Sequence, residues 1–130
     1  MDMATRSRKV LVVDDDEDTA RTFAFLLISM GHQATFLTDP HAVVEAVNLA
    51  KPHIVFLDLG MPGLDGWEVA KRLRQQYPQE DGTLQIVAVS GHGEDQARIK
   101  SRKAGFDAHV LKPVDIDLVE VIMKQIDPRR

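Results

Sequence analysis

Cysteine is absent from the 130 residues of this chain. That absence excludes disulfides, thiolate metal sites and cysteine nucleophiles together, and it favours a reducing compartment such as the cytoplasm. Also missing is any apolar run approaching the ~20 residues of a membrane span. Residues 1–8 contain no apolar h-region, so they read as a disordered lead-in and not as a secretory signal. Residues 127–130 read as a short tail. Charge is not heavily one-sided: 16 basic against 20 acidic residues give a net charge of −4, which argues against direct nucleic-acid binding and against membrane affinity. Internal repeats and low-complexity segments are lacking. Neither a P-loop nor a dinucleotide fingerprint occurs, since Gly91 and Gly93 stand as a lone pair. The five histidines (His32, His41, His53, His92 and His109) share no metal-ligand spacing, and most read as surface or turn residues.

What is present is an alternation of strand-like and helix-like stretches, repeated five times. The first strand spans about 9–14 and the first helix about 18–30, with Ala20, Phe23, Ala24, Leu27 and Ile28 at helical spacing and Gly31 as its stop. A second strand, about 33–37, leads to Asp39 as N-cap and Pro40 as first helical residue. The inner stripe of that helix is Val43, Ala46, Val47 and Ala50, and Pro52 ends it. A third strand runs to Asp58, and the loop 59–64 is tightly shaped by Gly60, Pro62 and Gly63. Asp65 with Glu68 resembles a capping box. Further strands are expected at 85–89 and 109–111, with helices at 94–103 and from 116 to about 126, the last capped by Asp115. Alternating β and α segments imply a single α/β domain over 9–126, with a parallel sheet and right-handed crossovers. The expected strand order is 2-1-3-4-5, a flavodoxin-like doubly wound sheet with five helices and a switch point between strands one and three.

Those two strands carry the acids. Asp14 and Asp15 end the apolar run 10–13, and Asp58 ends the run 54–57. Ligands bind outside the carboxyl ends of such strands. Three carboxylates gathered there repel by roughly 3 kcal/mol per pair at ~5 Å and an effective dielectric of ~20, so a cation is expected among them. Hard oxygen ligands suit Mg²⁺, with Mn²⁺ as a substitute. Helix capping would account for Asp15 or Asp16, but not for Asp58, which precedes a proline turn. Lys112 follows the fifth strand and reaches the same edge; Pro113 directly after it suggests a cis bond in a tight turn. Ser90 ends the fourth strand, where it is either a turn serine or a donor to a phosphoryl oxygen. It is not a hydrolase nucleophile, because the glycine two residues earlier is missing.

The segments VLVVDDD (10–16), LDLGMPGLDGWE (57–68), VAVSG (87–91) and AGFDAHVLKPVD (104–115) together resemble the receiver domain of two-component response regulators (CheY-like). The wording around 57–68 and 104–115 is most similar to receivers of hybrid sensor histidine kinases or stand-alone receivers. The resemblance implies that Asp58 is the phosphoacceptor, taking a phosphoryl group from a phosphohistidine on a histidine kinase or histidine phosphotransfer protein. It implies that Asp15, Asp58 and the backbone carbonyl of Gly60 bind Mg²⁺ directly and Asp14 through water. Lys112 and Ser90 would bind the phosphoryl oxygens, and the loops they carry would move a binding surface made of the fourth helix, fifth strand and fifth helix. Such a module is a phosphoacceptor and not an enzyme, beyond its own phosphorylation and dephosphorylation.

Three positions depart from the family pattern. His109 stands where many members carry an aromatic switch residue. Gly60 and His92 occupy the two positions that tune autodephosphorylation in the family. The apolar surface of the last helix, with Leu118, Val121 and Ile122 as one stripe and Ile116, Val119, Met123 and Ile126 beyond it, suits a downstream protein or a homodimer. If the chain is complete, its output is binding alone; the alternative is a receiver excised from a hybrid kinase. A Mg²⁺-dependent aspartyl phosphohydrolase would need a second Asp where Gly60 stands. A phosphorylation-independent scaffold would need none of the acids, the hydroxyl or the lysine.

Overall fold

The computed structural model describes residues 7–62, 65–91 and 105–125. Five strands, β1 (Lys9–Val13), β2 (Gln33–Leu37), β3 (Ile54–Asp58), β4 (Gln85–Ser90) and β5 (Ala108–Leu111), form one parallel sheet in the order β2-β1-β3-β4-β5. Four α-helices are described: α1 (Glu17–Ser29), α2 (Val43–Ala50), α3 (Gly66–Gln76) and α4 (Ile116–Gln125). The helix expected at 94–103 lies outside the described residues, as do His92, Gly63 and Ile126. No described helix is long and apolar enough to cross a membrane.

Each face of the sheet has its own core. Val10, Val12, Ile54, Phe56, Val87, Val89 and Val110 pack under Phe23, Ala24 and Leu27 of α1 and Val119, Ile122 and Met123 of α4. Leu11, Val13, Val55, Leu57, Ile86 and Ala88 pack under Val43 and Val47 of α2 and Val69, Ala70 and Leu73 of α3. Burial on both faces is why β1 and β3 read as continuous apolar runs. The rings of Phe23 and Phe56 meet at 4.7 Å; each buried ring contributes about 1.5–3 kcal/mol.

Local chemistry sets the boundaries. Gly31 follows α1 at φ 97°, a left-handed turn open to glycine at little cost. Asp39 accepts from the His41 amide at 3.0 Å, but what it caps is a 3₁₀ turn, Pro40–Ala42, ahead of α2. Asp65 caps α3 by accepting from the Trp67 amide at 2.9 Å. The cap is one-sided: Glu68 pairs along the helix with Arg72 instead of turning back.

Four expectations are corrected. Ile28 is half exposed, not part of the inner stripe of α1. On α4 the buried stripe is Val119, Ile122 and Met123, while Val121 faces outward. His32 is buried, and its Nδ1 accepts the Arg8 amide at 3.0 Å. Arg8 therefore belongs to the folded domain and not to a lead-in, and its carbonyl accepts the Gln33 amide at 2.9 Å.

Candidate phosphoacceptor and metal site

The carboxyl ends of β1 and β3 lie side by side, with Val13 paired to Leu57. The next residue on each strand path is Asp14 and Asp58. Both carboxylates are almost fully buried, 5% and 4% exposed, while Asp15 is exposed. One oxygen from each of Asp14, Asp15 and Asp58 lies within 4.8 Å of the others. Oxygens around an octahedral Mg²⁺ stand about 3 Å apart as neighbours and about 4.2 Å apart across the ion; the cluster supplies the hard oxygen donors such a cation takes.

The acids are held by backbone donors. Asp14 Oδ1 accepts the Asp16 amide at 2.9 Å, and Asp58 Oδ1 accepts the Gly60 amide at 2.8 Å. Lys112 Nζ donates to Asp58 Oδ2 at 3.0 Å and lies 3.5 Å from Asp14 Oδ2. Burial pushes the Asp14 carboxyl above its ordinary value, helped by the neighbouring Asp58 charge and opposed by the Asp16 amide and Lys112. Burial pulls the Lys112 ammonium down, but the hydrogen bond to Asp58 and the charges of Asp58 and Asp14 outweigh it, so its net shift is upward. A buried carboxyl shifted upward beside an ammonium shifted upward marks a site short of positive charge.

Ser90 and His109 complete the edge. The Ser90 carbonyl accepts the Lys112 amide at 2.8 Å, which seats the lysine one strand away from Asp58. Ser90 Oγ lies 2.8 Å from His109 Nε2. The Lys112–Pro113 peptide is cis. Gly60 has space for a side chain: a Cβ there would meet Asp58 Oδ1 at 3.4 Å, ordinary contact. The structure thus brings together Asp14, Asp15, Asp58, Gly60 and Lys112, and ties Ser90 to β5. His92 lies outside the described residues.

Sequence reasoning missed the groove beside Asp14. It has a volume of about 650 Å³ and is lined by Thr19, Thr22, Phe23 and Leu26 of α1 and by Pro113 and Val114. The spacing of Thr19, Thr22 and Leu26 along one helical face was the available signal.

A five-stranded parallel sheet with an acidic cluster and a lysine at its switch point defines a class, and comparison with known proteins agrees. The response regulator receiver domain model matches residues 10–126. The chain belongs to that family, and with it to two-component signalling. It is 34% identical over 104 residues to the sensory transduction protein RegX3 of Mycobacterium tuberculosis (strain ATCC 25618 / H37Rv), covering 80% of this chain and 44% of that protein. It is 28% identical over 124 residues to the sensor histidine kinase GacS of Pseudomonas protegens, covering 94% of this chain and 14% of that one. The chain therefore spans less than half the length of these relatives. The structure of chemotaxis protein CheY4 of Vibrio cholerae superposes with a TM-score of 0.84 at 18% identity, over 93% of this chain and 99% of that one; the shared fold is CheY-like.

Proposed function

We propose that Asp58 accepts a phosphoryl group from a phosphohistidine on a histidine kinase or histidine phosphotransfer protein, with Mg²⁺ as cofactor. The observation that carries this reading is the buried Asp58 carboxylate gripped by Lys112 at 3.0 Å within an acidic cluster of 4.8 Å span. Transfer forms a P–O bond to an Asp58 oxygen as the P–N bond of the donor breaks, and the donor imidazole leaves. Little covalent chemistry is asked of the protein; positioning and charge neutralisation do the work. Held by Asp15, Asp58 and the Gly60 carbonyl, and by Asp14 through water, Mg²⁺ would supply the positive charge that offsets the incoming phosphoryl oxygens. The Gly60 amide orients Asp58, and Lys112 follows the charge from the carboxylate to the phosphoryl oxygens. Ser90 donates to one of them, drawing on the end of β4.

The new charge then biases the loops after β4 and β5. Leu111 on β5 and Ile116 and Val121 on α4 are exposed, and these surfaces would meet a downstream protein or a second copy. His92 and Gly60 set the lifetime of the phosphorylated state by admitting or steering water. The site uses no catalytic turnover on an outside substrate.

The test is Mg²⁺-dependent labelling by acetyl phosphate, read as the mass of one phosphoryl group. Labelling should vanish in Asp58→Asn and on chelation. Unlabelled wild type would sink the reading, and sustained turnover of unrelated phosphate esters would point to a hydrolase.

A further inference from the structure

Among the described residues β2 pairs with β1 alone, and its residues are exposed or half-buried where those of β3 are all buried. The ladder to β1 decides which backbone groups of this edge strand are engaged. The Gln33 amide donates to the Arg8 carbonyl at 2.9 Å, and the Leu37 carbonyl accepts the Asp14 amide at 3.1 Å. Backbone groups alternate in direction along a strand, so Gln33, Thr35 and Leu37 face β1, and the N–H and C=O groups of Ala34 and Phe36 face outward. Their side chains share the α1 face: Ala34 packs on the core beneath α1, and the Arg21 guanidinium lies 5.8 Å from the centre of the Phe36 ring. Arg21, Phe25 and Ile28 form one stripe of α1, so the exposed Phe25 and Ile28 side chains flank this edge. From Gln33 to Thr38 the strand carries no charge and no proline, and so lacks the usual devices against strand pairing.

We propose that β2 is a self-complementary interface, along which a second copy of this chain adds its own β2 antiparallel, about a two-fold axis at Thr35. The inference stands apart from the phosphoacceptor reading. In an antiparallel ladder, directly opposed residues of a hydrogen-bonded pair exchange both N–H···O bonds. An axis at Thr35 sets Ala34 opposite the second copy's Phe36, and Phe36 opposite the second copy's Ala34. Every outward group of both residues then finds its partner inside the strand. An axis at Ala34 sets Phe36 against the second copy's His32, and an axis at Phe36 sets Ala34 against the second copy's Thr38; both registers run past the ends of β2. The Thr35 register also lays a large side chain over a small one, since each Phe36 ring covers the other copy's Ala34 on the α1 face. A two-fold axis brings each residue near it up to its own duplicate, so a charge there meets its like. The axial residue here is Thr35, its neighbours are uncharged, and Arg21 is already paired with Glu17. This symmetry is what singles out a second copy, because a strand from another protein needs none. Phe25 and Ile28 then lose exposed apolar surface to the interface. Since β2 and β5 are the two edges of the sheet, the pairing leaves Leu111, Ile116 and Val121 clear.

The experiment uses the full chain, with and without one introduced thiol. Cysteine is otherwise absent, so a single thiol reports a single distance. Opposed residues of a non-hydrogen-bonded antiparallel pair have Cα atoms about 4.5 Å apart, within the ~4.4–6.8 Å that a disulfide spans. Thr35→Cys should therefore give a disulfide-linked dimer under mild oxidation. In Gln33→Cys the two thiols stand on the order of 14 Å apart along the pair, and that chain should remain a monomer on the same non-reducing gel. Sedimentation equilibrium of the unmodified chain, from about 10 μM to about 1 mM, should show a concentration-dependent dimer. Phe36→Lys brings two like charges to the axis and should raise its dissociation constant by roughly tenfold or more. Ala34→Pro removes one outward N–H without touching the ladder to β1 and should act in the same direction. Circular dichroism confirms that both variants are folded. Val121→Lys, on α4, should leave the dimer unchanged. A chain that stays monomeric throughout overturns the inference and leaves the edge to an extended segment of another protein. Equal cross-linking at positions 33 and 35 overturns the register, and with it the proposal. A dimer lost in Val121→Lys but kept in Phe36→Lys moves the contact to α4 and also overturns it.

Discussion

Lys112 Nζ donates to Asp58 Oδ2 at 3.0 Å from the far side of β4, since β5 is separated from β3 by one strand. The ammonium occupies charge that a divalent cation would also claim. Lys112→Ala should therefore tighten divalent-ion binding by about tenfold, since a unit charge at ~5 Å is worth up to ~3 kcal/mol at an effective dielectric of ~20 before screening. Titration with Mg²⁺ or Mn²⁺ measures this. The same variant should label more slowly with acetyl phosphate, because the phosphoryl oxygens lose their cationic partner.

Asp14 gives a pH dependence with a definite sign. Its folded-state pKa is raised, first by burial. Between its unfolded and folded values the native state holds more protons than the unfolded one, so stability falls as pH rises. The contribution is fully present below the ordinary carboxylate range and is lost as pH passes through the raised value. Thermal melts without divalent ions should show that decline, and Asp14→Asn should flatten it and melt higher than wild type at neutral pH. Added Mg²⁺ should close much of the gap. A wild-type melting point that climbs through this window would contradict the sign.

Gly60 is the empty seat next to the phosphoacceptor. A Cβ there makes ordinary contact with Asp58 Oδ1 at 3.4 Å, so Gly60→Asn should fold and melt within a few degrees of wild type. Its amide would lie where water approaches an acyl phosphate. The decay rate of phosphorylated Asp58 should change severalfold with little change in stability. Equal decay rates in the two proteins would show that position 60 has no hold on the water.

At the opposite edge of the sheet, Arg74 makes four hydrogen bonds among the described residues. Its guanidinium donates to the carbonyls of Gly105, Tyr77 and Leu84 and to Asp107 Oδ2, the last at 2.6 Å. Asp107 in turn accepts the Ile86 amide at 2.8 Å. The Arg74 and Asp107 side chains are only 11% and 15% exposed, and breaking such a pair costs about 3 kcal/mol or more. Arg74→Ala should lower the melting temperature by roughly 10 °C. Gly105→Ala should also destabilise, because its φ is 99° and the new Cβ would come within 2.7 Å of Arg74 Cγ. Neither change should alter the chemistry of Asp58 in protein that remains folded.

The strands and the acidic site were legible from the chain because burial on both faces leaves β1 and β3 as unbroken apolar runs, each broken only by its terminal acid. Topology then needed only the alternation of elements and the handedness of crossovers. The face of α4 was not legible. Leu118, Val119, Val121, Ile122 and Met123 are apolar around most of the helix, so periodicity offers several stripes, and packing against Val110 and Val89 chooses one. Nor was the work of His32 and His53, whose Nδ1 atoms accept the amides of Arg8 and Lys9 at 3.0 and 2.9 Å; such pairings join residues 24 and 44 positions apart. Arg74 and Asp107, 33 positions apart, carry no local pattern at all. What escapes the sequence is contact between distant polar groups, for which no period exists.

The Arg74 network also makes the two ends of β5 mechanically unequal. One guanidinium ties the foot of the strand, at Gly105 and Asp107, to the carbonyls of Tyr77 and Leu84, whereas its head is joined to β4 through Ser90 and to Asp58 and Asp14 through the Lys112 ammonium. Pairing with β4 holds the strand along its length, so the difference lies at its ends: a nearly buried guanidinium secures the foot and the more exposed Lys112 secures the head. Partial opening of β5 should therefore begin at its head, next to α4.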